Sequence, residues 1–121
     1  EERARPCKAE PAGEWIEVTK ADLAPGEHRG VKVAPKTYVL IANVGGRYCA
    51  IDDSCEHSGQ LLSEGELTEG GLIVCPGHFY EIDVRNGDLV NPRGACDNQT
   101  CYAVEVRDGA VWVDASTLKA V

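Results

Sequence analysis

The stretch Tyr38-Val39-Leu40-Ile41-Ala42-Asn43-Val44-Gly45-Gly46-Arg47-Tyr48-Cys49-Ala50-Ile51 decides the fold. Its first half is apolar and rich in β-branched residues, Gly45-Gly46 offers a two-residue turn, and Arg47 to Ile51 returns. Glycine at both central positions permits the positive φ values of a tight antiparallel hairpin. A second hairpin lies near the end of the chain. Ala103-Val104-Glu105-Val106 alternates, Asp108-Gly109 turns, and Val111-Trp112-Val113 comes back. Shorter strands are predicted at Trp15-Ile16-Glu17-Val18, at Val31-Lys32-Val33, over Leu61 to Leu67 and over Leu72 to Val74. Pro25-Gly26 and Glu69-Gly70-Gly71 break the chain between them. No long helical period appears, so the fold class is all-β, an antiparallel sandwich or barrel.

The chain has 121 residues, enough for one domain with a modest core. Residues 1–13 are charged and contain Pro6, Pro11 and Gly13, and read as an N-terminal tail; residues 14–121 form the domain. Lysine and arginine number 12 against 20 acidic residues, so the net charge is 12 − 20 = −8. That balance excludes a nucleic-acid binder and argues against anionic membrane surfaces. It suits docking on a basic patch of a protein partner. No segment approaches the roughly 20 apolar residues of a membrane span. The start, Glu1-Glu2-Arg3-Ala4-Arg5-Pro6, lacks the apolar core of a signal peptide, so a cytoplasmic monomer is expected.

Chemistry concentrates between the two hairpins. One loop reads Cys55-Glu56-His57-Ser58-Gly59-Gln60 and a second reads Cys75-Pro76-Gly77-His78. Each brings a thiolate and an imidazole toward one point, giving two sulfurs and two nitrogens together. Zinc fingers place both cysteines on one element and both histidines on another, whereas each loop here mixes them. Two Cys on one iron and two His on the other is the donor set that separates Rieske centres from all-cysteine clusters.

From roughly Trp15 to Val113 the chain resembles the Rieske-type [2Fe–2S] ferredoxins of bacterial multicomponent oxygenases. The resemblance implies a Rieske fold, with a small cluster-binding subdomain at about 52–84 inserted into the β base. It implies that Cys55 and Cys75 hold one iron of a single [2Fe–2S] cluster, and His57 and His78 the outer one. The implied function is one-electron transfer from a flavin-dependent ferredoxin reductase to a terminal oxygenase such as a dioxygenase. Alternatives are a Rieske subunit or domain of a larger oxidoreductase, and a structural zinc module. Respiratory Rieske proteins carry an extra cysteine in each loop and Ser and Tyr donors after the second His. The matching positions are Gln60, Gly77, Tyr80 and Ile82, which implies a lower potential. One departure from the ferredoxins is Phe79, where they usually have glycine.

The chain has only three histidines, and two are spoken for. His28 alone cannot build the two-His, one-carboxylate iron site of an oxygenase, so an electron carrier rather than an enzyme is expected. His28 itself reads as an exposed turn residue. Cys49 reads as a core thiol, and Trp15 and Trp112 as core anchors. Cys96 and Cys101 can close a small disulfide loop, or one of them can pair with Cys7, which would favour a periplasmic location.

Overall fold

A computed structural model of the chain describes residues 14–34, 37–53, 61–68, 70–75, 80–91 and 101–114. The strands, in chain order, are β1 (Trp15–Lys20), β2 (His28–Ala34), β3 (Thr37–Val44), β4 (Arg47–Asp52), β5 (Leu72–Val74), β6 (Glu81–Asp83), β7 (Leu89–Asn91), β8 (Cys101–Tyr102), β9 (Val104–Arg107) and β10 (Ala110–Asp114). They form three antiparallel sheets, ordered β1-β10-β9, β2-β3-β4-β8 and β5-β6-β7.

Both predicted hairpins are present. Val44 pairs with Arg47 across Gly45 (φ 63°) and Gly46 (φ 96°). Arg107 pairs with Ala110 across Asp108 (φ 50°) and Gly109 (φ 76°). Positive φ at both central positions matches the twist of the flanking strands.

The β3–β4 hairpin lies between two apolar layers. On one face Val39, Ile41 and Ala50 join Leu23, Tyr102, Val111 and Val113. On the other Leu40, Ala42, Cys49 and Ile51 join Leu62, Ile73, Cys75, Ile82 and Leu89. Successive side chains leave opposite faces of a strand. A strand covered on both faces is therefore apolar at every position, which is why Tyr38–Val44 does not alternate. Cys49 is a buried free thiol, as expected, and burial pushes its pKa up. The Tyr102 phenol is pushed up to about 12, first by burial and then by the Asp52 charge.

Three expectations differ from the structure. Leu61 to Leu67 is not a strand: Leu62–Glu64 is one turn of 3-10 helix, flanked by single bridge residues at Leu61 and Leu67, the latter pairing with Ile73. The Asp53 carboxylate takes the Ser63 N–H at 2.6 Å, so that amide is lost to any ladder. Trp15 and Trp112 are half-buried rather than core residues, because Ile16, Val18, Val111 and Val113 take the inward positions. Both indole rings instead flank the Arg107 guanidinium, each at 5.3 Å, a cation–π arrangement on the outer face. His28 begins β2 and is half-buried, not an exposed turn residue.

Ile51 is fully buried and pairs with Leu40 at the centre of the hairpin. Ile51→Ala should therefore cost about 2–5 kcal/mol in denaturant unfolding. A loss below about 1 kcal/mol would contradict a close-packed layer there.

Candidate metal centre

Two loops leave the strands that border the second apolar layer, and each is tied at its base. The first follows β4. The Asp53 N–H donates to the Tyr38 carbonyl at 3.0 Å, continuing the β3–β4 pairing one residue further. The Asp53 carbonyl then accepts the Leu62 N–H at 2.6 Å. That bond closes the chain around residues 54–61, which include Cys55 and His57. The second loop follows β5. The Cys75 N–H donates to the Tyr80 carbonyl at 2.8 Å and closes the chain around 76–79, which include His78.

The two bases are also joined to each other. The Val74 N–H donates to the Glu66 carbonyl at 2.9 Å, linking the segment after the first loop to the strand entering the second. Leu62, Ile73 and Cys75 are at 0 % exposure and Ile82 at 3 %, all in one cluster. The position of Cys75 thus follows from β5: Ile73 points into the core, Val74 away from it, and Cys75 inward again.

Of the four ligands expected from the sequence, the structure places Cys75, as a fully buried thiol in no disulfide. Cys55, His57 and His78 lie outside the described residues, as do Glu56, Gln60, Pro76, Gly77 and Phe79. A buried thiol at the neck of a closed loop fits the sulfur side of an iron–sulfur site, where cysteine thiolates hold the iron and their exposure to solvent tunes the potential. Tyr80 is half-buried against the same cluster, and Ile82 inside it is wholly apolar. Among the described residues, no three His, Cys, Asp or Glu side chains gather into a separate metal site.

Cys101 is disulfide-bonded, and its partner lies outside the described residues. Cys96 and Cys7, the partners expected from the sequence, lie outside the described residues, and Cys49 and Cys75 form no disulfide.

Some contacts at the first loop were not foreseen. Asp53 is completely buried, and its Oδ1 and Oδ2 accept the Ser63 N–H at 2.6 Å and the Ser63 hydroxyl at 2.7 Å. Burial pushes its carboxyl above the usual range, while the two Ser63 hydrogen bonds pull it down. His28 Nε2 lies 2.9 Å from the Ser63 carbonyl oxygen. The sequence did carry a signal for Asp53, an acidic residue directly after an apolar strand and two positions before Cys55. Nothing in it pairs Ser63 with Asp53 or His28, because those contacts join segments distant in the chain.

Known proteins agree with this geometry. Residues 14–105 match the family model described as the Rieske [2Fe-2S] domain. The 3-phenylpropionate/cinnamic acid dioxygenase ferredoxin subunit of Escherichia coli (strain K12) is 34% identical over 95 residues, 78% of this chain and 86% of that one. The ferredoxin of carbazole 1,9a-dioxygenase from Nocardioides aromaticivorans IC177 superposes with a TM-score of 0.74 at 25% identity, covering 84% of this chain and 97% of that one. A chain in a complex of reduced oxygenase and oxidized ferredoxin in carbazole 1,9a-dioxygenase gives a TM-score of 0.75 at 31% identity, covering 84% and 93%. With its all-β layers and paired loops, this chain belongs to the Rieske [2Fe–2S] domain family, and it is an electron carrier with a Rieske cluster as its cofactor.

Proposed function

We propose that the chain takes single electrons from a flavin-dependent ferredoxin reductase and passes them to a terminal oxygenase. Cys55, His57, Cys75 and His78 are the cluster ligands in this reading. The observation that carries it is the pair of loops closed at Asp53–Leu62 and Cys75–Tyr80 over one buried cluster. Each loop holds one Cys and one His, and Cys75 sits in the buried position that a sulfur ligand requires. When bound, a cluster with two neutral imidazoles accepts one electron more readily than an all-cysteine cluster.

The protein's own residues do the rest. Leu62, Ile73 and Ile82 keep water from the sulfur side. Ile82 brings no hydroxyl toward the sulfurs, so the potential should fall toward the negative end of the roughly −150 to +300 mV span of Rieske centres. Residues 14–121 act as one domain in this reading, with the cluster carried by about 52–84 and residues 1–13 as a tail. The protein works as a monomer that meets its partners by diffusion, and the disulfide at Cys101 favours an oxidising compartment such as the periplasm over the cytoplasm.

Charge supports transient docking. Glu64 and Glu66 are exposed just after the first loop, and Glu81 pairs with Val74 beside the second. With a net charge of −8, these carboxylates favour a basic partner surface.

The purified chain should be red-brown and show a rhombic Rieske EPR signal on reduction with dithionite. A colourless protein with stoichiometric zinc would sink the reading. His57→Cys should remove the cluster or lower its potential; an unchanged spectrum would exclude His57 as a ligand. Electron flow from reductase to oxygenase should slow as salt rises past about 0.1 M, where the screening length is roughly 10 Å. Glu64→Gln with Glu66→Gln should slow it at low salt and make no difference at high salt. A rate independent of salt would rule out electrostatic docking.

A further inference from the structure

The Asp53–Ser63 pair is a built contact that the ligand reading does not use. Asp53 is the residue at which the first loop leaves the core, and Ser63 lies just beyond its return. Three hydrogen bonds join these ends: Asp53 carbonyl to Leu62 N–H, Asp53 Oδ1 to Ser63 N–H, and Asp53 Oδ2 to the Ser63 hydroxyl. The carboxylate is at 0 % exposure, so its hydrogen bonds form away from competing water. A third segment closes over them. A Cβ at Gly30 on β2 would meet Asp53 Oδ2 at 2.6 Å, with Ser63 Oγ closer still and Ser63 Cβ at 2.9 Å. β2 can therefore lie against the pair only because residue 30 lacks a side chain. Two residues earlier, His28 Nε2 holds the Ser63 carbonyl at 2.9 Å.

A loop hinge needs one of these bonds. Three of them, buried and pressed by a neighbouring strand, fix both the separation and the relative rotation of the loop's ends. We infer that Asp53 and Ser63 are positioning residues that set the geometry of the Cys55–His57 loop, and through it the environment of the cluster. Gly30 is the opening that admits them. The inference rests on the assignment of Cys55 and His57 as ligands. Groups that orient metal ligands commonly change metal retention by about 10–100-fold when removed.

The test uses the full chain in its cluster-loaded form. Four variants are compared: Ser63→Ala, Asp53→Ala, Asp53→Asn and Gly30→Ala. Readouts are EPR g-values, midpoint potential, rate of iron loss to a chelator, and amide exchange at Leu62 and Ser63. Ser63→Ala removes one hydroxyl, leaves the apolar layers untouched and should fold. Gly30→Ala presses one methyl onto the buried Asp53–Ser63 pair, and thermal unfolding checks that it folds. Each should shift the g-values and potential and speed iron loss roughly ten-fold or more, and Gly30→Ala should speed amide exchange at residue 63. Asp53→Ala should do the same more strongly. Asp53→Asn can still accept the Ser63 N–H and donate to its hydroxyl, and should stay near the unmodified chain.

Ser63→Ala and Gly30→Ala proteins with unchanged spectra, potential and iron retention would overturn the inference. So would Asp53→Asn behaving like Asp53→Ala, because charge rather than position would then be the cause. A Rieske signal in the unmodified chain that His57→Cys abolishes keeps the ligand reading intact in either case. Absence of that signal from the unmodified chain would instead sink the ligand reading, and this inference with it.

Discussion

The pairing of β3 with β4 sets Leu40 opposite Ile51 and Ile41 opposite Ala50, so one ladder feeds apolar side chains to both of its faces. The outer sheet β1-β10-β9 covers one face, and the small sheet β5-β6-β7 with Leu62 covers the other. The second covering matters for function. The strands of the small sheet have three residues each, and strands so short have little stability of their own. They gain it by burying Ile73, Ile82 and Leu89 on the hairpin. Because β4 leads into one loop and β5 into the other, the packing that stabilises the small sheet also brings the bases of the two loops together.

Polar groups near the loops follow a consistent division. Carboxylates that are buried are matched. Asp53 is met by Ser63, and Asp83, 6 % exposed, takes a two-point contact from Arg85 at 2.9 and 3.0 Å. A buried carboxylate without such partners would cost several kcal/mol, on the order of the whole stability of a domain this size. The carboxylates of Glu64 and Glu66 stay exposed just after the first loop. Short-range pairing thus orders the base of the site, while the charge that stays exposed remains in water.

The sequence disclosed the parts governed by local rules. Gly45-Gly46 and Asp108-Gly109 were legible because positive φ at two adjacent positions needs those residue types. The family was legible in the spacing of Cys55, His57, Cys75 and His78, because ligand chemistry restricts the residue types that can serve; of the four, Cys75 is among the described residues. What was hidden depends on contacts between distant segments. β6 and β7 are too short to carry a period, and exist because Ile82 and Leu89 have a surface to pack against. The 3-10 turn at Leu62–Glu64 reads as a strand until Asp53 is placed beside it. Trp15 and Trp112 looked like core by residue type, yet the strand alternation that turns Ile16 and Val113 inward leaves them outside with Arg107.

Closing each loop at its own neck separates two kinds of change. A substitution between Asp53 and Leu62, or between Cys75 and Tyr80, falls in a segment whose ends are pinned by bonds made outside it. The strands below do not have to adjust to it. Phe79 lies within such a segment by its place in the sequence. An architecture of this sort lets a loop change its sequence while the strands beneath keep their packing, so that the loop's chemistry and the folding of the base rest on separate residues.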